Sequence, residues 1–118
     1  MNNKELQAIR KALFLDVSEA AEHIGGVSTR SWRRWEDGTN PVPDDVEAAL
    51  EALAERRLLM IENIDNIAND QSADELDVAY YMTLAEYQAD HHQATLIDWR
   101  LSQAVAAYYF ADNVATLS

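Results

Sequence analysis

DVSEAAEHIGGVSTRSWRRWEDG, residues 16–38, divides into two short helices around a pair of glycines. Asp16 precedes Val17, Ser18 and Glu19, and an Asp cap with Glu three residues on satisfies orphan amides from both sides. That pattern predicts a helix over about 17–24. Gly25-Gly26 ends it, because glycine tolerates the left-handed conformation in which helices commonly stop. Ser28 then caps a third helix that ends near Glu36, and Asp37 to Pro41 is a loop by composition. Two short helices separated by a glycine turn, within a group of four, suggest a helix-turn-helix.

The second of these helices can be read by its faces. At about 100° per residue, Trp32 and Trp35 fall on one side with Ser31 beside them. Arg30, Arg33 and Arg34 fall on the opposite side, with Thr29 at the flank. Aromatics inward and guanidinium groups outward is what a helix lying in a DNA major groove requires. Arginine can reach guanine in a bidentate fork or pair with phosphate. The stretch STRSWRRW holds no acid, yet the whole chain has a formal net charge of −12. By segment the net is zero over 1–40, −8 over 41–75 and −4 over 76–118. Six of the nine basic residues lie in the first segment. Phosphate attraction acts over a Debye length of about 8–10 Å, so the local charge decides and the global one does not.

Outward from this pair, Leu6, Ile9, Ala12 and Leu13 mark a first amphipathic helix over about 3–14. Pro43 suits the first turn of a fourth, whose Asp44, Asp45 and Glu47 complement the helix dipole. Its apolar period runs from Val46 to Ile64 and suggests an end near 69. Asn69 to Asp74 is a polar break. Leu76 to Met82 reads as one short strand, and Thr83 to Glu86 as a capping box opening a short helix. Asp90 to Thr95 is a connector, and Ile97, Leu101, Ala104, Val105 and Tyr108 mark a last helix over about 96–112. The expected architecture is mainly α. A four-helix DNA-binding unit spans 1–60, and a helical dimerisation region with one short strand spans 70–118.

The 118 residues suit one domain or one small domain with an oligomerisation arm, and 48% apolar content fits a folded chain. Without cysteine there are no disulfides, thiolate metal sites or thiol catalysis. The start lacks the apolar core of a signal peptide, and no run approaches membrane-spanning length. The expectation is a soluble cytoplasmic protein without a membrane partner. His91 and His92 adjoin Asp90, but adjacent loop residues rarely aim both rings at one ion, so no metal is expected. His23 within the second helix reads as surface or packing. Neither a nucleophile elbow nor a glycine-rich phosphate loop is present. No cofactor and no enzymatic activity are expected.

The segment from Ser18 to Gly38 resembles the XRE-type, phage-repressor and Cro-like helix-turn-helix. Ala21 matches the small residue that lets the two helices approach. Gly25 matches the turn glycine, Trp32 the buried apolar position, and Trp35-Glu36 with Gly38 the end of the recognition helix. Arg10 falls where the family often has an arginine that pairs with the Glu at position 36. More narrowly, ELQAIRKALFLDVSEAAEHIG, VPDDVE and IDWRLSQAVAAYY make the chain similar to the second type of anti-CRISPR-associated regulators. That resemblance implies a homodimeric repressor on inverted repeats in the promoter of an anti-CRISPR operon that includes its own gene. It also implies dimerisation through the C-terminal module.

These readings assign Thr29, Arg30 and Arg33 to bases, and Val17, Ser18, Ser28 and Arg34 to the DNA backbone. Arg10, Ala21, Gly25, Trp32, Trp35 and Glu36 support the motif. Trp99, Leu101, Val105, Tyr108 and Tyr109 are assigned to the subunit contact, with a share in the chain's own core. Two departures from the family pattern matter. Val17 stands where a Gln or similar polar residue usually opens the second helix, and Gly25-Gly26 adds one residue to the usual turn. Three alternatives stay open: an acidic protein-interaction module, an antitoxin that masks a toxin with its C-terminal half, and structured RNA as a ligand of the same arginine face.

Overall fold

The computed structural model describes residues 1–70 and 76–118. The chain forms two compact units, Met1–Arg56 and Arg57–Ser118. Six helices and one two-stranded parallel sheet make up the described residues.

In the first unit, α1 (Asn3–Ala12) is opened by a capping box between Asn2 and Glu5. It stops two residues short of the expected end. Phe14 adopts a left-handed backbone with φ 63°, while Leu13 and Leu15 on either side are buried. A bulky residue takes that conformation only when its surroundings over-determine it. Burial of the two leucines does so here, and the Leu15 amide closes the turn on the Arg10 carbonyl at 3.2 Å.

Asp16 and Glu19 form the capping box that opens α2 (Val17–Ala20). The helix then widens into a π-helical turn over Ala21–Gly25. Sequence reading expects an ordinary α-helix to about residue 24. The difference has a physical cause, since a π turn takes up one extra residue without breaking the chain of hydrogen bonds. The second glycine supplies that residue. Gly26 closes the turn in the left-handed region at φ 61°, and the Val27 amide donates to the Ala21 carbonyl at 3.0 Å. Ser28 caps α3 (Thr29–Glu36) through its hydroxyl, which accepts from the Ser31 amide at 3.2 Å. The core of this unit is Leu6, Leu13, Leu15, Ala20, Ala21, Trp32, Trp35, Val46 and Leu50.

The fourth helix, α4 (Asp44–Asp70), begins with Asp44, Asp45 and Glu47 in its first turn. Positions 71–74 of the expected polar break lie outside the described residues. In the second unit, β1 is two residues long (Asp77–Val78) and pairs in parallel with β2 (Thr116–Leu117). Sequence reading expects a longer single strand from Leu76 to Met82 and no strand at the C-terminus. A strand needs a partner for its backbone groups; here Thr116 to Ser118 supply it, the Ser118 amide donating to the Val78 carbonyl at 3.1 Å and the Ser118 carbonyl accepting from the Tyr80 amide at 2.8 Å. Both strands are too short to show an alternating pattern.

Helix α5 (Leu84–Asp90) is capped by Thr83, whose hydroxyl accepts from Glu86. The Glu86 carboxylate turns to the amide of Met82 at 3.1 Å. Thr95 and Asp98 form a full capping box at the start of α6 (Leu96–Ala111), a signal present in the sequence but read there as connector. Ile61 of α4 packs with Val105 and Tyr109 of α6 in the core of this unit, flanked by Met60, Ile64, Val114 and Ala115. The Tyr109 hydroxyl donates to the Ile61 carbonyl or to Asp65, whose oxygen lies at 2.6 Å.

Candidate nucleic-acid interface

Helix α3 has two chemically opposite sides. Trp32 is fully buried and Trp35 is 9% exposed. Their rings lie 5.4 Å apart with planes tilted by 60°, within the range of favourable centroid separations for aromatic pairs. Arg30, Arg33 and Arg34 are exposed, and Thr29 is half-buried at the edge. None of the three arginines forms an ion pair within the described residues. The result is a short rod with three charged guanidinium groups presented to solvent and a double aromatic anchor behind them.

Glu36 fixes the end of that rod. Arg10 Nε donates to one carboxylate oxygen of Glu36 at 2.7 Å and Nη2 to the other at 3.1 Å. Nη1 donates to the Leu15 carbonyl at 2.9 Å, so each of the three guanidinium nitrogens has a partner. The indole N–H of Trp32 donates to the same Glu36 carboxylate. Both ionic side chains are about nine-tenths buried, at 10% and 9% exposure. Burial alone would push the Glu36 carboxyl up. Hydrogen bonds from Arg10 and Trp32, the arginine charge and a contribution from Gln7 outweigh it and hold the group below the usual range.

Asn3 and Gln7 are members of this cluster that the sequence analysis missed. The Asn3 amide donates to the Glu36 backbone carbonyl at 3.1 Å. Positions 3, 7 and 10 recur at four- and three-residue spacing, which places them on one face of α1. That spacing is the signal that could have found them.

The turn between the helices is tight for two different reasons. A Cβ on Gly25 would lie 3.0 Å from Val27 Cγ2, 3.2 Å from Trp32 Cε3 and 3.2 Å from Trp35 Cζ3. A Cβ on Gly26 would meet nothing within 4 Å, but its φ lies in the left-handed region. Ala21 is buried at 1% exposure. The missing side chain at 25 therefore lets the aromatic anchor close against the turn.

Val17 is half-buried, and with Arg33, Gln7, Arg10, Glu36 and Asp37 it lines an open cleft of about 400 Å³. Ser18 is exposed and donates its hydroxyl to Asp16 at 2.8 Å. Ser28 is exposed too, with its hydroxyl in the cap. Asp37 accepts from Thr39 and, with the Arg34 charge nearby, is held below the usual carboxylate range.

The five side chains assigned to the subunit contact differ in exposure within the chain. Trp99, Leu101, Val105 and Tyr109 are at most 8% exposed within the chain itself. Tyr108 is the one of the five that is exposed, at 39%, and its neighbour Phe110 is 56% exposed.

Residues 1–118, the full length, match the Aca2/YdiL-like family. The chain belongs to that family. It is 53% identical over 117 residues to the Aca2 repressor of Pectobacterium phage ZF40, covering 99% of both chains. It is 30% identical over 122 residues to the uncharacterized protein YdiL of Escherichia coli (strain K12), again covering 99% of both. The anti-CRISPR-associated resemblance read from the sequence agrees with this membership. No helix among the described residues is long and apolar enough to cross a membrane. No group of three or more His, Asp or Glu residues among them is arranged to hold a metal ion.

Proposed function

We propose that this member of the Aca2/YdiL-like family is a transcriptional repressor that binds duplex DNA at an inverted-repeat operator as a homodimer. The promoter it occupies is that of an anti-CRISPR-type operon containing its own gene. The observation that carries the reading is the two-sided α3: Arg30, Arg33 and Arg34 exposed, Trp32 and Trp35 buried behind them. The relative at 53% identity is named a repressor, which supports the same assignment.

Thr29 and Arg30 stand in the first turn of α3, the part of a recognition helix that reaches deepest into a groove. They read bases together with Arg33. Arg34, Ser28 and the start of α2 at Val17 and Ser18 hold the phosphate backbone. Val17 has no polar side chain to offer, so its contribution comes from the backbone, and Arg33 across the same cleft supplies the charge. One short helix reads few base pairs. A two-fold dimer sets a second copy about 34 Å away, one DNA turn on, and doubles the reading. Exposed Tyr108 and Phe110 contribute apolar surface to the subunit contact.

The testing experiment is a gel-shift titration of Arg30→Ala on the operator. Loss of a bidentate base contact costs about 1–3 kcal/mol per half-site. Operator affinity equal to wild type removes Arg30 from that role. Structured RNA is a ligand the same arginine face can engage, and a competition between operator duplex and folded transcript leader distinguishes the two.

A further inference from the structure

The second unit contains an open cavity of about 280 Å³ that the DNA-binding reading does not use. Met60, Ile64 and Val105 give it an aliphatic floor, and Tyr81, Tyr87 and His91 give it an aromatic corner. No Asp, Glu, Lys or Arg lines it. An ionised guest would lose its hydration there without gaining a counter-charge, so the walls select a neutral one. A cavity near 150 Å³ already holds a single benzene ring. This one suits two fused rings.

The aromatic corner is held in place before any guest arrives. Tyr87 and His91 stack with centroids 4.3 Å apart and planes within 12°. Tyr81 meets Tyr87 edge-on at 5.1 Å and His91 edge-on at 5.7 Å. The Tyr81 backbone carbonyl accepts from Trp99 Nε1 and from Gln103 Nε2, each at 2.9 Å. Gln103 is 3% exposed, one of two buried polar side chains among the described residues. Its amide is spent on positioning this wall. The Tyr81 hydroxyl donates to Asp90 at 2.8 Å, which fixes the ring from its other end. A pre-formed apolar cavity with few polar groups is the usual form of a small-molecule site. Rigid walls also lower the entropy lost on binding.

Ser102 adds the polar group. Its hydroxyl proton is committed to the Trp99 carbonyl at 2.6 Å, so what it can offer a guest is an oxygen lone pair. We infer that this cavity binds a neutral fused-ring molecule carrying one ring N–H. The rings lie against Tyr81, Tyr87 and His91, and the N–H donates to Ser102.

The test is a titration of the isotope-labelled full chain, followed by amide and methyl chemical shifts, with indole as probe. The inference expects saturable binding at about millimolar affinity or tighter for so few atoms. Shifts should concentrate on Val105, Ser102, Tyr81 and Tyr87. Loss of one neutral hydrogen bond makes 1-methylindole weaker by roughly twofold to tenfold. Indole-3-acetate, an anion, should bind weakest. Ala79→Leu, in the segment after β1, and Ser102→Leu, on α6, should each abolish saturation while leaving distant resonances in place. One folded variant of the two is enough. Shifts that never saturate, an anion that matches indole, or retained affinity in the filled variants would overturn the assignment. Equal affinity for 1-methylindole would remove the Ser102 bond.

Discussion

Arg10 and Glu36, from the first and third helices, form a forked ion pair with two hydrogen bonds, at 2.7 and 3.1 Å. The pair ties the C-terminal end of the arginine-bearing helix to α1, and the Trp32 indole joins it on the carboxylate side. Removing one partner strands the other charge in a place nine-tenths closed to water. Arg10→Ala should therefore destabilise the chain by about 3–5 kcal/mol. Glu36→Gln should cost less, because a side-chain oxygen remains for Trp32. Chemical denaturation monitored by tryptophan fluorescence checks both. Unfolding midpoints equal to wild type would contradict the importance given to the pair.

Acid should dissolve the same tie. Arg10, Trp32 and Gln7 overcome the upward push of burial and hold the Glu36 carboxyl below its ordinary value. A depressed carboxylate contributes stability that is complete above its unfolded value, about 4.3 for glutamate. That contribution is lost as pH falls through the folded value. The stability gap between wild type and Glu36→Gln should thus be widest near neutral pH and narrow as pH falls below about 4. A gap that stays constant from neutral pH to acid would contradict the assignment.

The two turn glycines should fail differently when replaced. Gly25→Ala forces a methyl to within 3.0–3.2 Å of Val27 and both tryptophan rings, an overpacking expected to cost about 1–3 kcal/mol. Gly26→Ala has open space but the wrong backbone sign, at about 1–2 kcal/mol. Asparagine tolerates the left-handed region better than other side chains. Gly26→Asn should accordingly recover part of the loss, and Gly25→Asn should be worse than Gly25→Ala. Thermal melts of the four variants test this ordering, and an equal response at the two positions would refute it.

Much of the N-terminal unit was legible because its signals are local. Asp16 with Glu19, and Ser28 before TRSW, mark helix starts by hydrogen bonds that span three residues. The faces of α3 follow from its period alone. The π turn was less accessible: the second glycine was visible, but whether a chain takes up an extra residue in a loop or in a widened helix depends on packing against Trp32 and Trp35. The β1–β2 pairing joins residues 77–78 to 116–117, and strands of two residues carry no periodicity of their own. The spacing of positions 3, 7 and 10 marks one face of α1, but it does not name Glu36, 33 positions along the chain, as the partner of Asn3. The helical period marked the inward side of α6, and the aromatic residues there suggested a contact. Whether an inward side faces its own chain or a partner is not written in the period. Trp99, Leu101, Val105 and Tyr109 are buried within the chain itself, and Tyr108 is exposed.

Selection of bound duplexes from a random pool tests the central claim most directly, since one enrichment reports both base preference and half-site spacing. The account predicts an inverted repeat with half-site centres one turn apart, about 10–10.5 base pairs. Arg30→Ala should relax preference at one symmetric pair of positions within it. A pool that emerges without enriched sequence, or with a single unrepeated site bound by one copy of the chain, would contradict it.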